Sequence, residues 1–221
     1  MTANCFVKSI VIVAAFVSSG CSVFGIRTSE ELQFKVVEQS EDIEIREYEP
    51  YISAEATMSG DYDEVQTKLF KTLAGYIFGN NASEKKIAMT APVIMDSREA
   101  KDGEKIDMTA PVKVSTSKAN SWKMAFSMPS QYTIETLPKP LSQDVELVEV
   151  PIKIYAVIRY SGFFDDEENR QENLKALLKW LEEQTDYQPV GEPQYAGYDP
   201  PFTIPFLRRN EVLIEVKKTE M

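Results

Sequence analysis

Residues 51–60 read YISAEATMSG, and residues 153–162 read KIYAVIRYSG. Ile52, Ala54, Ser59 and Gly60 return as Ile154, Ala156, Ser161 and Gly162, each 102 residues later. A short apolar-rich run stopped by Ser-Gly reads as a strand ending in a turn. Each run is followed by an acidic turn and an amphipathic helix. Asp61 stands where a cap is wanted for a helix running to about Phe78 and ended by Gly79-Asn80-Asn81. Along it Val65, Leu69, Phe70, Leu73, Tyr76 and Ile77 recur at helical spacing. The second helix runs from about Asp165 to Gln184, with Asp165 to Glu168 at its positive end and a stripe of Leu174, Leu177, Leu178 and Leu181. One sequence match is within chance; the helix that follows both times makes it a duplication. A strand, a helix and further strands, twice over, predict an α+β domain whose halves share one sheet or barrel with the helices packed outside it.

Working outward, residues 34–38 and 43–48 alternate apolar and polar side chains, as strands with one buried face do. Met89-Thr-Ala-Pro-Val93 recurs nineteen residues later as Met108-Thr-Ala-Pro-Val112. The polar segment between the copies contains Asp102-Gly103, a hairpin signal, so the copies read as two strands joined by a charged loop. Pro92 and Pro111 lack a ladder donor and mark strand edges or bulges. Residues 122–128 form a further strand ended by Pro129. Residues 194–198 and 211–216 read as strands on either side of a Pro-rich loop, 199–205. The predicted domain covers residues 32–217, with halves of about 32–140 and 141–217.

Residues 1–20 have a secretory signal pattern: Lys8, an apolar run from Ile10 to Val17, then Ser18-Ser19-Gly20 before Cys21. The run is too short to span a bilayer, which takes about 20 residues. A cysteine after small residues resembles a bacterial lipobox. In that reading Cys21 is acylated, residues 21–31 form a tether, and the protein is an outer-membrane lipoprotein facing the periplasm. Ser22 after the cysteine favours the outer membrane in that class. The alternative is an ordinary cleaved signal and a soluble periplasmic protein.

Composition removes several chemistries. The 221 residues contain no histidine. That excludes Ser-His-Asp and Cys-His catalysis, a histidine base and imidazole metal ligation. Both cysteines, Cys5 and Cys21, lie in the N-terminal segment, so the predicted domain has no disulfide and no thiol nucleophile. Without the first twenty residues, 23 basic face 35 acidic side chains. A surface so acidic repels nucleic acid and anionic membrane faces.

Several segments together resemble the SOUL haem-binding protein family. They are Lys86-Ile-Ala-Met-Thr-Ala-Pro-Val93 with its second copy, Trp122-x3-Phe126-x-Met-Pro129, Tyr132-x4-Leu-Pro138-x-Pro140, Ala156-Val-Ile-Arg-x-Ser-Gly162, and residues 198–212, YDPPFTIPFLRRNEV. The likeness covers about residues 32–217. It implies a distorted antiparallel β-barrel with two helices and pseudo-two-fold symmetry, related to the gyrase-inhibitor-like ligand-binding fold. It also implies binding of haem or another tetrapyrrole. A histidine-ligated mode does not transfer to a chain without histidine. A mode with an apolar pocket and no strong axial ligand remains open.

Candidate ligand-binding residues follow. A Met thioether can ligate haem iron and lines adaptable pockets. Met58, Met89 and Met108 are therefore candidates, against the plainer reading of the Met-Thr-Ala-Pro-Val copies as structural strand ends. The resemblance places the first helix beside the pocket, which adds Leu69 and Leu73 to their role in the core. Tyr198 and Phe202, with Phe206, lie on a loop, where aromatics serve recognition. Arg208 suits a ligand carboxylate, against a salt bridge to Glu211. No motif places a catalytic pair, a phosphate loop or a metal cluster. The expected function is that of an exported, lipid-anchored protein, not an enzyme, that binds a small hydrophobic ligand, haem first, non-covalently and without histidine. The alternatives are an envelope scaffold or a binder of another small apolar ligand.

Overall fold

The computed structural model describes residues 27, 29–83, 85–98 and 121–219. Cys21, Met108 and the Asp102-Gly103 turn lie outside the described residues. The strands are β1 (Phe34–Ser40), β2 (Ile43–Tyr48), β3 (Tyr51–Ser59), β4 (Val93–Arg98), β5 (Ser121–Ser127), β6 (Glu146–Val150), β7 (Lys153–Tyr160), β8 (Tyr187–Pro189), β9 (Gln194–Gly197) and β10 (Asn210–Lys218). The helices are α1 (Tyr62–Ile77) and α2 (Glu167–Glu182), with a 3-10 turn at Pro205–Leu207.

All the strand pairings are antiparallel, in the order β1-β2-β7-β10-β9-β4-β5-β3-β6, with β8 beside β10. The sheet curls into a half-barrel, the α+β fold expected, and its end strands β1 and β6 are not paired to each other. Apart from the edge strand β1, the order has the same plan from both ends, β2-β7-β10-β9 answering β6-β3-β5-β4. Met58 pairs with Trp122, and Tyr160, 102 residues after Met58, pairs with Asn210, 88 after Trp122. Asp96 pairs with Lys123 and Ala196 with Glu211. The local two-fold therefore runs between β4 and β9, where Met95 pairs with Tyr195. The halves also exchange strands. β2 precedes β3 but pairs with β7; β6 precedes β7 but pairs with β3.

The helices lie on one face of the sheet, α1 over β3 and β5, α2 over β7 and β10. Ala54 and Ala156 have no exposed surface, and at these equivalent places the missing bulk admits a helix. Under α1 the core holds Leu69, Leu73, Met95, Met124 and Phe126; under α2 it holds Ile45, Leu174, Leu177, Val212 and Ile214. Each fully buried Leu or Ile stabilises by roughly 1.5–3 kcal/mol. Both repeated glycines have positive φ, 140° at Gly60 and 126° at Gly162, which side-chain-bearing residues avoid. The Ser-Gly stop thus sets the turn into each helix.

Three details differ from the sequence reading. β1 is an edge strand with Val36 and Val37 exposed, because nothing pairs or packs on its outer side. The first Met-Thr-Ala-Pro-Val copy enters a strand only at Val93. Asp61 holds the cap position of α1 without a side-chain bond, whereas Asp166 caps α2 by accepting from Asn169 N at 3.1 Å.

Candidate functional site

The site lies at the start of β3, where it borders the core under α1. A half-open cleft of about 300 Å³ is lined by four separated segments: 30–33, 49–52, 127–130 with 132–133, and 149–150, with Thr90. Tyr51 and Ile52 begin β3, and Met128 N donates to Ile52 O at 2.7 Å, closing the floor. The N-terminal strap 30–33 forms one wall. It is seated by Ala91 N to Glu30 O at 2.9 Å, Ser130 N to Glu30 Oε1 at 2.9 Å, and Glu49 N to Gln33 O at 3.0 Å. The Thr90 hydroxyl donates to Ser127 O. Ser127 is buried and lines the cleft, and its own hydroxyl has no hydrogen-bond partner among the described residues.

The two halves differ at this place. Ser53 pairs with Ser127 in the first half, and the equivalent pair in the second half is Tyr155 with Glu215. There Lys153, the equivalent of Tyr51, adds an ion pair to Glu215 at 2.6 Å. Of the two small serines, Ser127 lines the cleft and Ser53 does not.

The lining has an apolar wall of Leu32, Ile52, Met128, Pro129 and Val150, two phenols (Tyr51 and Tyr132), and the carboxylates Glu30, Glu31, Glu49 and Glu149. Among the described residues no Lys or Arg lines it. Burial, and next Glu55, push the Tyr51 phenol well above the usual tyrosine range, so it stays neutral. Lys85 Nζ lies 5.2 Å from the centre of the Tyr132 ring.

The sequence candidates divide. Leu69 and Leu73 are fully buried under α1, and Met58 packs half-buried against the same core. None of the three lines the cleft, and neither does Met89, which is exposed beside Thr90. Tyr198 is buried, not displayed, because its hydroxyl donates to Glu211 at 2.6 Å. Phe202 is exposed. Arg208 donates to Thr203 O at 2.8 Å and Pro201 O at 2.5 Å; its neighbour Arg209 is the partner of Glu211. Fully buried Glu211 also accepts from Arg46 Nη1 through both oxygens at 3.0 Å. Two arginines and a phenol fill the roughly four lone-pair positions of this carboxylate, which leaves it no capacity as a base. Burial alone would lower the Arg46 pKa, but Glu211, Tyr48 and Glu44 together outweigh it and hold Arg46 above its ordinary value.

Sequence reasoning missed the cleft. Its one legible signal was that Thr90, Met128-Pro129 and Tyr132 belong to the motifs behind the family resemblance. A SOUL heme-binding protein model matches residues 29–215. This chain belongs to the SOUL heme-binding protein family. A human protein named heme-binding protein 2 is 30% identical over 181 residues, covering 80% of this chain and 78% of that protein. Among solved structures, an uncharacterized conserved protein from Listeria innocua is similar, with a TM-score of 0.59, 12% identity and coverage of 80% of this chain and 93% of that one. The EcmrR C-terminal domain has a TM-score of 0.56 at 12% identity, over 85% of this chain and all of that one. Both are likenesses of fold to this SOUL-family chain.

The residues of this SOUL cleft fit part of a haem. The apolar wall suits one edge of a flat macrocycle. The carboxylates and the absence of cations do not suit its propionates, and neutral Tyr51 is a poor iron ligand. Met128 carries the one thioether among the lining residues.

Proposed function

We propose that this chain is an exported, lipid-anchored binding protein that holds haem or a related tetrapyrrole in this cleft without imidazole ligation. The observation that supports it is the convergence of the family motifs on one apolar wall: Thr90, Met128, Pro129 and Tyr132. Ile52, Met128, Pro129 and Val150 would take the ring edge, and burial of that apolar area drives binding. The macrocycle would enter with its propionates pointing to solvent, away from Glu30, Glu31, Glu49 and Glu149. Iron, when present, supplies axial coordination chemistry, but these side chains place little demand on it. The reading is of a binder and not of an enzyme.

Titration of the full chain with haem, metal-free protoporphyrin and its dimethyl ester is the test. All three are expected to bind saturably, haem and the free base about equally, and the ester best because it brings no charge to an acidic mouth. Ser127→Phe, which fills the cleft, should weaken all three by at least about tenfold, or ~1.4 kcal/mol. The reading fails if none of the three saturates, or if Ser127→Phe binds like wild type. A second reading, a smaller apolar ligand with no haem role, is favoured by the cleft volume, which lies at the lower end of the ~300–1,000 Å³ seen for ligand pockets. Displacement of a bound porphyrin by such a ligand would favour it.

A further inference from the structure

Away from the cleft, three phenylalanines stand in solvent at one end of the molecule. Phe163 is 52% exposed, Phe202 63% and Phe206 72%. They belong to one patch. Gly162 N donates to Pro205 O at 3.0 Å, bringing the turn after β7 against the 3-10 turn. The Arg208 guanidinium sits 5.0 Å from the Phe163 ring centre while donating to Pro201 O and Thr203 O. One cation thus ties together the loops that display all three rings. Exposed rings gathered at a loop end, rather than scattered singly, mark a contact surface.

The chain's path says which surface they meet. Arg27 enters the domain at this same end. Its guanidinium donates to Asp199 Oδ2 at 3.1 and 2.9 Å and reaches Leu207 O, beside Phe206, at 3.5 Å. Cys21 is six residues earlier. At about 3.5 Å per extended residue the tether reaches at most ~21 Å. An acylated Cys21 therefore holds Arg27 within that distance of the bilayer, with the phenylalanine patch at the end of its side chain.

The geometry points to Phe163, Phe202 and Phe206 as a bilayer-docking patch that inserts at the lipid–water interface beside the anchor. This rests on the proposed acylation of Cys21. A side chain with an apolar ring buries it among the acyl boundary, and Arg208 can keep its charged head at the surface by extending its stem. The acidic domain gains nothing from anionic headgroups, so the contact is apolar and depends on the anchor to bring it there. The two acyl chains of a diacylated Cys21 hold the protein at the bilayer, and a further apolar contact converts a loose tether into a fixed orientation.

The test uses the full chain, expressed and lipidated, with one cysteine introduced by Phe206→Cys and labelled with an environment-sensitive dye. The mature chain read in this way has no other free thiol. Vesicles are of phosphatidylcholine, with or without lipids carrying a quencher at the acyl boundary. Lys218→Cys is the control, eight residues along β10 from Asn210 and so roughly 26 Å away. The expected result is a blue shift and loss of most emission at position 206, little change at 218, and loss of both effects in a Cys21→Ser chain. Anchored chain that co-sediments with vesicles, with an unquenched label at 206, overturns the patch and leaves the anchor standing; the rings would then serve a protein partner. If mass spectrometry finds Cys21 unacylated, the anchor and the patch fall together.

Discussion

Lys123 on β5 and Glu211 on β10 are equivalent positions in the two halves, and they carry opposite charge. Lys123 lies 3.2 Å from Glu55 and 3.6 Å from Asp96; Glu211 lies 3.0 Å from Arg46 and 2.8 Å from Arg209. Each is a central charge held by two of the opposite sign. The difference is in solvent at the centre: Lys123 keeps 13% side-chain exposure and Glu211 none, while the flanking groups of both clusters range from 5% to 17%. A duplicated backbone keeps what the helix packing and the turns require, alanine at 54 and 156 and glycine at 60 and 162. The other sheet face was free to change. One half carries the Glu211 ion network and Tyr155 there, and the other Lys123 and serines.

The largest expected effect tests that difference in solvent. Glu211→Gln leaves buried Arg46 and the part-buried Arg209 short of an anion and should cost about 3–5 kcal/mol of folding stability, as broken buried pairs do. Lys123→Met, at the equivalent place, takes a part-exposed cation from Glu55 and Asp96 and should cost less, about 1–3 kcal/mol. Denaturant midpoints of the two variants check it, and equal losses would break the comparison. Next come the helices. Leu69 and Leu174 are each the eighth residue of their helix, Leu69 at 0% exposure and Leu174 at 8%. Truncation to Ala should cost about 2–5 kcal/mol in each, more at Leu69. The reverse order, read from urea unfolding, would mean that the second core is the tighter one.

The smallest effect is on pH. Tyr76 stands where the second half has Leu181, and its hydroxyl donates to Pro138 O at 2.8 Å. Burial, then the neighbouring Tyr132, push its pKa from 10.0 up to about 12. A folded-state pKa raised above the unfolded value gives stability that is complete below pH 10 and is lost as pH rises through 12. Tyr76→Phe should flatten part of the alkaline decline in the unfolding midpoint. A decline as steep as wild type would assign it wholly to the other buried tyrosines.

These contrasts also explain what could be read in advance. The repeat, both helices and their turns were legible because they rest on local spacing: Leu69 to Leu73, Leu174 to Leu177 and Leu181, and Ser-Gly at each turn. The burial of Tyr198 was not, because it depends on Glu211 and, through it, on Arg46, which is 165 residues away from Glu211 in sequence. Arg208 and Arg209 are neighbours with opposite fates, decided by strand alternation at the start of β10. The cleft was hidden for a related reason. It lies between segments that include residues 30–33, 49–52 and 149–150 and Ser127, and a vacancy between distant segments leaves no periodic mark.

The exchange of β2 and β6 between the halves has an evolutionary meaning. A single half, standing alone, would have a first strand with no place in its own sheet and a β3 or β7 edge left open. Two copies would satisfy each other's edges as a symmetric pair, meeting where β4 now meets β9. The present chain is then a homodimer written as one polypeptide. Joining the copies released each from having to match the other, and so one could keep a ligand space while its twin turned the same ground into structural ballast.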